Sequence, residues 1–286
     1  MPSLNILDNH FDLVQSVKKE IVAIIKESVT PERIYLIGAS LYNKQTESIF
    51  DNLSASPVYL ADYYLLVVVK DGLGRRMSDW EDMLEARCAS ICQVTIIVVV
   101  LAKFLRMYSE GNLLVTLAHQ ANEIFYDSGN IHLHDLNTEN KHPLPVLQKD
   151  ISKSVHRAKE FLAAADMYIS RKEPELATLM IHQCLEQIFR VLILRGFGIA
   201  NETHNIDKMF RCVVLLDHQW SSIFPIGEGD SKKLLGYLQH SYYGARYRHK
   251  FNLTIEIATK LKGKAQLALD LLLKTIKVEE LENNES

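Results

Sequence analysis

Asp135-Leu-Asn-Thr-Glu-Asn-Lys-His-Pro-Leu-Pro145 is where this chain changes character. The stretch is polar and carries two prolines, which lack a backbone donor and resist regular structure, so residues 136–148 read as a linker. Upstream, β-branched and aromatic runs alternate with helical patterns. Downstream no β signal remains. The expectation is therefore an α/β or α+β domain over 1–135 and an all-α up-and-down bundle over 149–278, followed by an acidic tail at 279–286. A length of 286 residues suits two domains at roughly 100–200 residues each.

Working back from the linker, Glu123-Ile-Phe-Tyr-Asp127 reads as a short strand and 103–121 as a helix. Val94 to Leu101 is a β-branched run of the kind a fully buried strand carries. Ser78-Asp-Trp-Glu81 has the spacing of a capping box and predicts a helix over 79–90. Val58-Tyr-Leu-Ala-Asp-Tyr-Tyr-Leu-Leu-Val-Val-Val-Lys70 is a second strand, and Arg33-Ile-Tyr-Leu-Ile-Gly38 a first, followed by a polar loop. Phe11, Val14, Val17, Ile21, Ile24 and Ile25 recur at helical period over 8–28, and Pro31 closes that helix. Forward of the linker, helices are predicted at 149–171, 174–195, 204–218, 230–243 and 252–278, with Gly196 and Gly198 stopping the second.

Composition excludes several classes. Apolar residues make up 48% and charged residues 23%, with 12 Gly and 7 Pro, which rules out collagen-like or low-complexity character. The longest apolar run, Val94 to Phe104, is too short to cross a bilayer, which needs about 20 residues, so no membrane partner is expected. Four cysteines and no signal-peptide pattern lead to the expectation of a cytoplasmic protein with reduced thiols. Cys88 and Cys92 read as buried thiols, since no second pair lies near enough to complete a zinc site. The formal charge of −3 hides an asymmetry: residues 1–140 are −7, and residues 141–278 are +8 before the acidic tail. A basic half suits a phosphate-bearing partner, or the two halves attract each other.

His182, Glu186 and Arg190 are spaced four apart and share a helix face, either as a solvated stripe or as an interior polar cluster with His204. The ordered series Leu179-Met-Ile-His-Gln-Cys-Leu-Glu-Gln187, Gly196-Phe-Gly198, Thr203-His-Asn-Ile206, Leu234-Leu-Gly-Tyr237 and Tyr242-Tyr-Gly-Ala-Arg-Tyr247 resembles a HEPN domain of the sacsin-like type. The resemblance implies a helical bundle that often dimerises and binds nucleotide or RNA. In the family's ribonucleases an Arg is separated by about four to six residues from a His that shuttles the 2′-hydroxyl proton while the Arg steadies the charged phosphorane. Here Arg246 is followed by Tyr247, Arg248 and His249, a shorter spacing. Arg246, Tyr247, Arg248 and Lys250 then become candidates for binding phosphate and base, because cations meet phosphate and rings stack on bases.

HEPN domains often accompany a small nucleotidyltransferase domain, and the first half resembles one. Such a fold places a Gly-Ser turn after its first strand, matched by Gly38 and Ser40. It then places an Asp-x-Asp pair on the next strand, which binds paired Mg²⁺ because residues i and i+2 share a face. Asp62 matches the first acid. Tyr64 stands at the second, and the later strand Val94-Thr-Ile-Ile-Val-Val99 offers no acid. The resemblance thus implies Mg²⁺ and a nucleotide as cofactors but supplies one carboxylate for them. The leading expectation is a nucleotide- or RNA-binding regulatory protein, a homodimer through the bundle, whose transferase-like domain has lost its activity. The alternatives are an active metal-dependent nucleotidyltransferase, drawing further acids from Asp51 or Glu81, and a metal-independent ribonuclease using Arg246 and His249. Asp62, Arg246 and His249 are accordingly the catalytic candidates.

Overall fold

In a computed structural model, residues 5–44, 58–70, 74, 76–121, 123–133, 147–200, 202–225, 229–247 and 253–284 are described. The chain forms two compact units, Met1–Lys141 and His142–Ser286.

The first unit is a mixed four-stranded sheet with helices. Helix α1 (Asn5–Ser28) leads into β1 (Pro31–Lys44), and Pro31 opens the strand, a position where a missing donor costs no ladder bond. Strand β2 (Val58–Val69) runs antiparallel to β1. It then crosses through α2 (Met77–Cys88) to β3 (Gln93–Val100), which lies parallel to it. Helices α3 (Leu101–Ser109) and α4 (Leu113–Ala121) lead to β4 (Ile124–Asp127) on the other side of β1. The sheet order is β3-β2-β1-β4. Tyr63, Leu65, Val67 and Val69 of β2 join Ile21 and Ile25 of α1 and Leu84 and Cys88 of α2 in one core. Leu66 and Val68 are equally buried on the opposite face, where Tyr35 stacks on Phe104 of α3. Burial on both faces is why β2 reads as a continuous apolar run.

Four local readings are corrected. The first strand does not end at Gly38 in a Gly-Ser turn. It continues to Lys44, with Gly38 opposite Tyr64 and Ser40 opposite Asp62, and Ile37 is the extra residue of a bulge. The capping box at Ser78 does not form. The N-cap is Arg76, without a side-chain bond, and Glu81 reaches instead to the Val98 amide at 2.9 Å. The helix read over 103–121 is two. Gly111, at φ +70°, breaks it, and Asn112 restarts it by accepting from the Val115 amide at 3.3 Å. The acidic stretch 279–284 is also helical, as Glu and Leu favour.

The second unit is all-helical: α5 (Leu147–Ser170), α6 (Pro174–Phe197), α7 (Ile206–Leu216), a 3₁₀ turn (His218–Ser222), α8 (Gly229–Tyr247) and α9 (Ile255–Asn284). Helix α6 is central and packs against α5, α7, α8 and α9. It is long and apolar enough to cross a membrane by composition, but most of its apolar residues from Ala177 to Phe197 are buried as the bundle's core. It passes through Gly196 and stops at Gly198, whose φ of +66° suits the left-handed cap. Gly196 serves packing instead: a Cβ there would stand 2.9 Å from Leu216 Cγ and closer still to both its methyls.

Candidate functional site

Two polar places stand out, one in each unit. On the sheet, Asp62 lies opposite Ser40 of β1 and Gln93 of β3, and it is partly exposed. Two residues on, Tyr64 is only 3% exposed and faces Gly38 and the buried Thr95 across the ladders. Among the described side chains, the face that would seat paired ions thus offers one carboxylate, an amide, a hydroxyl and a phenol. A Mg²⁺ pair bridging phosphates needs several anionic oxygens, so this donor set does not fit it. Among the described residues, no three His, Cys, Asp or Glu side chains converge as metal ligands would.

The reserve acid Glu81 is engaged elsewhere. Its Oε1 accepts from the Val98 amide at 2.9 Å, and Glu85 Oε1 accepts from the Ile96 amide at 2.8 Å. One turn apart on α2, the two carboxylates occupy donors of edge strand β3 that a neighbouring strand would otherwise take. Asp51, the other reserve acid, lies outside the described residues. Gly38 and Ser40 sit within a paired strand, so they form no phosphate-cradling turn there. Beside this place, burial, the Cys88 thiol and the Asp62 carboxylate push the Cys92 thiol up to about 11. Burial likewise raises Cys88 to about 11, so neither is a thiolate at neutral pH.

In the helical unit the structure brings His182, Glu186, Arg190 and His204 together. Glu186 is the hub, buried at 4% exposure. Its Oε1 accepts from Arg190 Nε at 2.9 Å and lies 3.1 Å from His204 Nδ1. Its Oε2 accepts from Gln183 Nε2 at 3.3 Å and lies 3.6 Å from His182 Nδ1. The helical spacing of four puts 182, 186 and 190 on one face of α6, and that face turns inward. His204 arrives from the segment before α7, where Arg190 Nη2 donates to the Thr203 carbonyl at 3.2 Å. The Tyr242 ring of α8 completes the place. It stacks on His204 at 4.7 Å between centroids and 19° between planes, and lies 5.1 Å from His182.

Sequence reasoning found the four polar members but not the two residues that fasten them, Gln183 and Thr203. Tyr242 entered only as the first residue of the motif Tyr242-Tyr-Gly-Ala-Arg-Tyr247. No sequence signal pairs Tyr242 with His204, since the fold alone brings α8 to that segment. Arg246 and Tyr247 belong to the last turn of α8, and their side chains lie outside the described set. Arg248, His249 and Lys250 lie outside the described residues altogether.

Residues 151–276 match the HEPN domain family. Comparison with curated proteins gives no match. Among solved structures, an archaeal HEPN homologue is similar at 20% identity and a TM-score of 0.32, covering 44% of this chain and 97% of its own. A nucleotidyltransferase-like protein from Exiguobacterium sibiricum is similar at 14% identity and a TM-score of 0.27, covering 90% of this chain and 74% of its own.

Proposed function

We propose, from a HEPN domain at residues 151–276 joined to a mixed-sheet unit with one acid where a transferase would use several, that this chain recognises nucleotide or RNA without transferring or cleaving it. On this reading it acts as a regulatory protein of the cytoplasm, dimerising through the helical bundle. The observation that carries the noncatalytic part is the face at Asp62, where the buried phenol of Tyr64 and the hydroxyl of Thr95 stand at the places open to further carboxylates. Without a second anion, in-line displacement lacks the charge that holds two ions and neutralises the leaving phosphate. The binding part is supported by the HEPN match and by the basic balance of residues 141–278.

The test is direct. The full chain is incubated with labelled ATP and Mg²⁺, alone and with RNA, and product formation and nucleotide binding are both followed. The expected result is saturable binding with no transfer and no RNA cleavage. Transfer abolished by Asp62→Asn would instead establish an active nucleotidyltransferase. Cleavage abolished by His249→Ala would establish a ribonuclease.

A further inference from the structure

The stacked pair of His204 and Tyr242 differs from the other ring contacts of the helical unit. Phe189, Phe210 and Phe224 pack among themselves as buried core. His204, by contrast, keeps 44% of its side chain in solvent while lying nearly parallel to Tyr242. A half-exposed ring on a loop residue ordinarily moves. This one is fastened at its Nδ1 edge, against one ring and through the backbone on either side. Glu186 holds Nδ1 edge-on at 3.1 Å, and Glu186 is itself fixed by Arg190 and Gln183. The backbone just before it is tied by Arg190 through the Thr203 carbonyl, and Asn205 just after it caps α7 by accepting from the Lys208 amide at 3.1 Å. The result is a flat, oriented aromatic surface reaching water, whose ordering cost is met in the fold rather than on binding.

A cation lies to hand for an anion beside that surface: Arg190, bonded to the same Glu186 and 31% exposed, borders it. A planar, anion-bearing ligand with a free ring face matches these features. A base within a duplex does not, because both of its faces are already stacked.

We infer that the solvent-exposed side of His204 in the His204–Tyr242 stack seats an unpaired nucleobase carrying a phosphate. The inference rests on the nucleotide reading above and gives it a location. The same chemistry is offered by a free nucleotide and by an unpaired base in single-stranded RNA.

The test uses the full chain and four probes: ATP, inorganic tripolyphosphate, single-stranded oligoadenylate and the same oligomer in a duplex. Each is titrated against the wild type, His204→Ala and His204→Phe, with circular dichroism confirming the fold. Loss of a stacking ring lowers affinity for a base by about 5- to 150-fold. His204→Ala therefore weakens ATP or oligoadenylate by that order and leaves tripolyphosphate unchanged. His204→Phe, which keeps a ring, retains most of the binding, and the duplex competes poorly. Preference for ATP over oligoadenylate identifies the free nucleotide as the source, and the reverse identifies RNA. If His204→Ala binds the base-bearing probes as the wild type does, or loses tripolyphosphate equally, the location is wrong while nucleotide recognition stands. If the wild type takes up no base-bearing probe, both fall together.

Discussion

Replacing Glu186 by Ala strikes the helical unit at a buried carboxylate that gathers several partners. The carboxylate is buried, and its two oxygens serve Arg190 at 2.9 Å, His204 at 3.1 Å and Gln183 at 3.3 Å. Breaking a buried pair by removing one partner costs about 3–5 kcal/mol, because the remaining charge is left without its counter-ion in a poor solvent. Here the lower end applies. The Arg190 and His204 side chains are 31% and 44% exposed and can turn toward water, whereas His182 is fully buried and cannot. The expected loss is about 3 kcal/mol, or roughly 6–12 °C in melting temperature for a unit of this size. Glu186→Gln keeps an acceptor for Arg190 and loses the charge, so it costs about 1–2 kcal/mol. The two tryptophans make the measurement specific. Trp220 lies in the helical unit and Trp80 in the sheet unit, so in a Trp80→Phe background the fluorescence follows the helical unit alone. A loss below about 1 kcal/mol for Glu186→Ala, or equal losses for Ala and Gln, would refute the view of Glu186 as a buried counter-ion.

Three further outcomes are expected. Gly196→Ala destabilises the helical unit by about 1–2 kcal/mol because its methyl meets Leu216, whereas in a Leu216→Ala background it stabilises by up to about 1 kcal/mol through helix propensity; urea unfolding of the four proteins reads the change of sign. Removing Glu81 and Glu85 together by Ala costs about 1–2 kcal/mol for each lost bond and bares the β3 edge, so light scattering should show association growing with concentration to species larger than the wild type forms. Glu32 is held below its usual value of 4.5 chiefly by bonds from Ser128 and Asn130, so its stabilisation is full above that value and lost as pH falls through the lower folded-state value; the melting temperature of Glu32→Gln should be lower than wild type at neutral pH and converge with it in acid.

What the sequence disclosed and what it hid follow from the range of the interactions. Periodicity is local, so the buried runs of β2 and β3 and the long apolar helix α6 were all legible from their own residues. The outer part of β1 was not. Leu41-Tyr-Asn-Lys44 reads as polar loop and becomes strand only because Val58 to Ala61 pairs with it across a long connection. The capping-box motif at Ser78 failed because Glu81 had a nonlocal competitor, the open amide of Val98. Gly196 read as a helix stop because a glycine's packing role depends on a neighbour, Leu216, that is remote in sequence. At the candidate site, the helical repeat of 182, 186 and 190 marked a shared face but left its direction open. The arrival of His204 and Tyr242, on separate segments, is what makes that face interior.

The acidic balance of the first 140 residues takes on a different meaning once its carboxylates are placed. Glu32 holds the turn after β4 through Ser128 and Asn130, and Asp127 pairs with the buried Arg33 at 2.7 Å. Glu81 and Glu85 close the edge of β3. Each of these acids is engaged with a donor on which the sheet's own edges and turns depend, so drawing any of them toward Asp62 would open an edge or free a turn. Tyr64, buried at 3% exposure, adds a phenol and no anion two residues along from Asp62. In the helical unit the reverse holds. Its interior carboxylate, Glu186, gathers cationic and aromatic groups that extend to solvent. Among the described residues, the sheet unit's carboxylates named above serve its own edges and turns, whereas Glu186 of the helical unit gathers groups that reach solvent.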